Sequence, residues 1–188
     1  MGEHELLKQA REATRDEFVA QHPFLFLLVR GGEDDEPTPS EPPDASDPAT
    51  PATLTLGITF QTFTGRPDDH DTTREIRQVL PVLKRETNPY PDRISIGRAR
   101  NCDIVLRNRS VSKLHAHFKY ATGGKLEIVD LQSYNGTWVN GTHLKPNIGE
   151  PVSTGDEIQF GMVTAQLVDA ATLFHLVRDS DEIMSALG

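Results

Sequence analysis

Residues 109–118 read RSVSKLHAHF, and within ten positions they hold two serines, a lysine and two histidines. Ser112 and His115 could be a nucleophile and its base. His115 and His117 could be half of a metal site. Ser112 and Lys113 could instead hold an anion without reacting with it, because a hydroxyl and an ammonium both donate to phosphate oxygens. The first two readings lack companions. A serine hydrolase needs a nucleophile elbow, an orienting acid and an oxyanion-hole loop, and none accompanies Ser112. A metal site needs a third ligand, and none stands at a suitable spacing. No catalytic residue, cofactor or metal is expected, and the chain reads as a non-enzyme.

Charge favours the anion-binding reading. The 188-residue chain carries a net −9, which argues against binding of nucleic acid or of an anionic membrane. The charge is unevenly spread. Residues 93–168 hold nine basic and six acidic side chains, a net of +3, so the remainder carries −12. From Arg98 to Lys119 the bases are Arg98, Arg100, Arg107, Arg109, Lys113 and Lys119, against the single acid Asp103. A phosphate group, with a charge of about −1.5 to −2 and three acceptor oxygens, suits such a stretch.

Four islands lie in the second half of the chain: IGRARNCDIVL (96–106), SVSKLHAHF (110–118), DLQSYNGTWVNG (130–141) and GDEIQFG (155–161). Their ordered set of Gly97-Arg98, Ser112-x-x-His115, Asn135-Gly136-Thr137 and Asn140-Gly141 resembles the forkhead-associated (FHA) domain. That family is a β-sandwich whose apical loops bind phosphothreonine peptides. The resemblance implies that Arg98 binds the phosphate, that Ser112 donates its hydroxyl to it and that Lys113 adds a second cation. It implies that Asn135 hydrogen-bonds the peptide main chain. A turn asparagine with positive φ is an alternative for that residue. Tyr134 stands where the family usually has a small or polar residue, and its phenol could donate a hydrogen bond or line the wall. Gly97, His115, Gly136, Thr137 and Asn140 would support the site, with His115 buried as a brace between loops. His117 reads as strand packing or surface, and Cys102 as an inert packing cysteine.

The elements that must position these residues are short. RISIG, DIVL, AHFKY, KLEIVD, TWVN, THL, DEIQF and VTAQLV are rich in β-branched and aromatic residues and separated by turn signals. Asn140-Gly141 is a two-residue hairpin turn. With FLFLLVR (24–30), LTLGITFQTF (54–63) and EIRQVLPVLK (75–84, an edge or bent strand because of Pro81), about eleven strands form an all-β sandwich. It spans 24–169, with core motifs at 93–168. Within it, 31–52 holds seven acids, six prolines and no base, and reads as a disordered insertion. Residues 1–22 carry an amphipathic helix over 3–21, ended by Pro23. Residues 170–188 form a C-terminal helical segment, with a break expected near Asp179–Asp181.

One cysteine permits no disulfide within the chain, and the N-terminus lacks the pattern of a signal peptide. The longest apolar run, PFLFLLV, is far short of a membrane span. The expected protein is cytoplasmic and reads phosphothreonine-containing proteins, a Ser/Thr kinase among them, as an adaptor in Ser/Thr kinase signalling. The alternative is a phosphate-independent scaffold that retains the fold.

Overall fold

The computed structural model describes residues 3–30 and 76–186. Eleven strands are found among them: β1 (Phe26–Arg30), β2 (Ile76–Pro81), β3 (Arg93–Gly97), β4 (Ile104–Val105), β5 (Ala116–Tyr120), β6 (Leu126–Asp130), β7 (Thr137–Val139), β8 (Thr142–His143), β9 (Gly149–Pro151), β10 (Glu157–Phe160) and β11 (Val163–Val168). They form a six-stranded sheet in the order β2-β1-β11-β10-β7-β8 and a five-stranded sheet in the order β4-β3-β5-β6-β9. All pairings are antiparallel except β3 with β4. The expected all-β sandwich is the observed fold. The strand read over 54–63 and the acidic insertion 31–52 lie outside the described residues.

Alternation explains how the sheets face each other. Ile94 and Ile96 of β3, Ala116 and Phe118 of β5, Ile158 and Phe160 of β10, and Ala165 and Leu167 of β11 turn inward and form one buried cluster. β1 behaves differently. Leu27 and Val29 join that cluster, whereas Phe26 and Leu28 join a second one on the other face of the same sheet. Its run of apolar residues without alternation is what a strand covered on both faces requires. β2, the edge strand of its sheet, ends at Pro81, where a missing N–H breaks no inner ladder.

Helices cover the second face. α1 (Glu3–Glu12) contributes Leu6 and Ala10, α2 (Arg15–Gln21) contributes Phe18, and α3 (Ala170–Ala186) contributes Leu173, Phe174 and Val177. The single helix expected over 3–21 is two helices. Thr14 is extended, at φ −75° and ψ 161°, and caps α2 reciprocally: Glu17 N–H donates to Thr14 Oγ1 at 3.4 Å, and Thr14 N–H to Glu17 Oε2 at 2.9 Å. The break expected in the C-terminal helix is absent. α3 runs continuously to Ala186, because no Pro or Gly interrupts it. Among the described residues, no helix is long and apolar enough to cross a membrane.

Candidate functional site

The site begins where β3 leaves its sheet. Beyond Ile96 the chain runs alongside residues 112–115. His115 N–H donates to Ile96 O at 2.8 Å, Arg98 N–H to Ser112 O at 2.9 Å and Ala99 N–H to Lys113 O at 3.0 Å. Gly97 permits this approach, since a Cβ there would drive into the Lys113 carbonyl. Buried Cys102 donates its thiol to the same carbonyl at 3.3 Å, and burial pushes that thiol's pKa up, away from reactive thiolate. The Arg98 loop and the Ser112 loop are thereby joined through their backbones.

His115 ties in a third loop. It is fully buried, with its ring 5.8 Å from that of Phe160. Ser112 N–H donates to Nδ1 at 3.0 Å, so Nδ1 is the bare nitrogen and Nε2–H donates to Gly136 O, also at 3.0 Å. Burial is the main cause of the lowered His115 pKa, which favours this neutral form. Both nitrogens are used and neither meets the Ser112 hydroxyl, so the pair is a brace and no catalytic dyad. Gly136, at φ +83°, turns its carbonyl to accept from Gly161 N–H as well, at 3.0 Å.

The loop from β6 to β7 is pinned by a residue whose importance the sequence reading missed. Asp130 is buried and accepts from Ser133 N–H at 3.1 Å, from Ser133 Oγ–H at 2.5 Å and from Thr137 Oγ1–H at 2.6 Å. Burial pushes its carboxyl up, but these donors outweigh that and hold the pKa below the usual range. Aspartate ending a strand with serine three residues later is a readable turn signal. Asp103 is likewise buried. It accepts from Arg85 N–H at 2.7 Å, from Ser95 N–H and Oγ–H at 2.6 Å each, and from the Asn88 amide. The one acid of the basic stretch is thus spent inside.

These constraints leave a set of polar atoms facing outward. Arg98 is exposed and donates Nε–H to Val111 O at 3.3 Å, which leaves its two terminal nitrogens uncommitted among the described residues. Ser112 Oγ accepts from Tyr134 N–H at 3.0 Å and keeps its own proton to give. The Lys113 ammonium has no partner among the described residues. Asn135 donates Nδ2–H to Ser110 O at 2.7 Å, leaving Oδ1 to accept. Its φ is not positive, so it serves through its side chain; Gly136 carries the left-handed turn. Tyr134 is 93% exposed beside them.

Other candidates stand elsewhere. Thr137 is fully buried below the loop. Asn140, at φ 50° in the turn from β7 to β8, is at the far end of β7, where it accepts from Glu157 N–H and donates to Asp156, both at 2.9 Å. It holds the opposite pole of the sandwich and reaches the site only through β7. His117 is buried on the outer face of its sheet, opposite Ser95, and does not share a pocket with His115. No group of three metal-ligating side chains occurs among the described residues.

Residues 94–161 match the family model of the FHA domain. The chain carries an FHA domain. Curated relatives are similar over stretches of comparable length. An oxoglutarate dehydrogenase inhibitor from Corynebacterium diphtheriae is 43% identical over 65 residues, which are 35% of this chain and 43% of that protein. The glycogen accumulation regulator GarA from Mycolicibacterium smegmatis is 40% identical over 67 residues, 36% of this chain and 40% of that one. The chain therefore spans less than half the length of these relatives. Among solved structures, the N-terminal FHA domain of S. cerevisiae Rad53p, in complex with a phosphothreonine peptide, covers 44% of this chain and 72% of that domain at 26% identity and a TM-score of 0.39.

Proposed function

We propose that this FHA domain is a non-catalytic reader of phosphothreonine peptides and serves as an adaptor in Ser/Thr kinase signalling. One observation carries the reading. Arg98, Ser112 and Asn135 each spend one polar group on the neighbouring loops and keep the complementary group free at the surface. Two guanidinium nitrogens and a hydroxyl proton suit phosphate oxygens, with Lys113 adding charge. The Asn135 oxygen suits a peptide N–H. Tyr134 supplies a wall. The bracing of His115 and the close approach at Gly97 keep these groups in place before a ligand arrives, which lowers the ordering cost of binding. The phosphothreonine peptide bound by the Rad53p domain supports the ligand class, and the regulatory names of the curated relatives support a non-enzymatic role.

The test is a matched set of peptide libraries with phosphothreonine, phosphoserine or unmodified threonine at a fixed position, applied to the parent protein and to Arg98→Ala. The parent retains phosphothreonine peptides. Arg98→Ala loses about 10- to 100-fold in affinity, as expected for a charge-assisted bidentate contact. Equal retention of unmodified peptides would support the phosphate-independent scaffold instead.

A further inference from the structure

Three connections around the site close into a ring. Asn135 Nδ2–H donates to Ser110 O at 2.7 Å. Asn135 is followed by Gly136, whose carbonyl accepts from Gly161 N–H at 3.0 Å. Gly161 is followed by Met162, whose N–H donates to Ser110 Oγ at 2.9 Å. The ring starts and ends at Ser110, and its far side is the two-residue turn between β10 and β11.

Ser110 is the fixed point of the ring. Its N–H and its Oγ–H both donate to Oδ1 of buried Asn108, at 2.8 and 2.7 Å. Gly161 packs against it so closely that a Cβ there would lie 2.6 Å from Ser110 O, and its φ of +61° also favours glycine. The N–H, hydroxyl and carbonyl of Ser110 are thus all engaged inside the protein. Asn135 gains from this rigidity. It is exposed, and among the described residues the bond to Ser110 is the one hydrogen bond of its side chain. Released from that bond, the amide would turn about its side-chain torsions and would have to be ordered again whenever a ligand bound. Held there, it presents Oδ1 in one place, because in a planar amide the position of Nδ2 restricts that of Oδ1.

We infer that Ser110 and the Gly161-Met162 turn are positioning residues for recognition of the ligand's main chain: the ring they close holds the Asn135 amide in its binding orientation. The inference rests on the phosphothreonine reading of the site, in which Asn135 Oδ1 accepts from a peptide N–H. Calorimetric titration of one phosphothreonine peptide tests it, in a double-mutant cycle over Ser110→Ala and Asn135→Ala. Asn135→Ala loses about 10-fold or more in affinity, and Ser110→Ala loses about 3- to 10-fold. The double variant binds as Asn135→Ala does, because Ser110 acts through that amide alone. The side-chain amide resonances of Asn135 give a second readout, on the folded protein without peptide. In the parent they lie away from the values of a free asparagine, and in Ser110→Ala they return towards them. Gly161→Ala, whose new Cβ displaces Ser110 O, does the same to the resonances and lowers affinity. Losses that add in the double variant, a Ser110→Ala or Asn135→Ala protein that binds like the parent, or free-asparagine resonances for Asn135 in the parent would overturn the inference. Failure of the parent to bind any phosphothreonine peptide would instead overturn the underlying reading, and the inference with it.

Discussion

At the scale of single residues, the site depends on groups that are half used. The Ser112 oxygen accepts from Tyr134 and keeps its proton, and Arg98 gives Nε–H to Val111 and keeps its fork. Gly97 shows how little tolerance this leaves. A methyl group there meets the Lys113 carbonyl, which must move and take the Ser112 loop with it. Gly97→Ala should lower stability by about 1–3 kcal/mol and weaken phosphopeptide binding together, measured by thermal unfolding and by titration. Unchanged stability with unchanged affinity would show that the close approach is unimportant. The candidate residues Arg98, Ser112, Lys113 and Asn135 stand out in the sequence because their types and order form a pattern. The turn from Asp130 to Ser133 is readable locally, but the rest of the role of Asp130 and that of Ser110 come from distant partners: Asp130 serves Thr137 seven residues on, and Ser110 serves Asn135 and Met162 across three loops.

At the scale of elements, turn chemistry was more readable than strand ends. Asn140-Gly141 makes the hairpin its sequence specifies, with φ of 50° and 77°. β9, Gly149-Glu150-Pro151, has no strand-forming residue and exists because β6 offers it a free edge. The Thr14-x-x-Glu17 capping box was present in the sequence, but the apolar period across it continues from Ala10 to Phe18 and conceals the break. Phe18 joins α2 to the outer face of β1 and to Phe174 of α3, its ring centroid 5.9 Å from that of Phe174. Phe18→Ala should cost about 3–5 kcal/mol in chemical denaturation, because it empties the centre of the cluster between helices and sheet. A loss below about 1 kcal/mol would mean that the helices contribute little to the folded state.

At the scale of the whole molecule, three buried histidines link the fold to pH. His22, His115 and His117 each have a lowered pKa, with burial the leading cause. The unfolded chain therefore takes up protons first as the pH falls below the ordinary value of 6.5. Stability is full above that value and declines as the pH drops towards the folded-state values. Asp103 and Asp130 have lowered values too, so their share is lost only in stronger acid, below the ordinary 3.8. Denaturant midpoints should thus fall between about pH 7 and 5; a flat or rising profile would contradict the burial of neutral imidazoles. The molecule also has two poles. One carries the Arg98, Ser112 and Asn135 loops, and the other carries the turns at Asn140 and Gly155, with helices along one side. Amide chemical-shift mapping with the tightest phosphothreonine peptide tests this division most directly. Shifts should concentrate at residues 97–100, 107–114, 133–136 and 161–162, and should be absent with the unphosphorylated peptide. Shifts centred on the helices or on the turns at Asn140 and Gly155, or the same shifts without the phosphate, would contradict it.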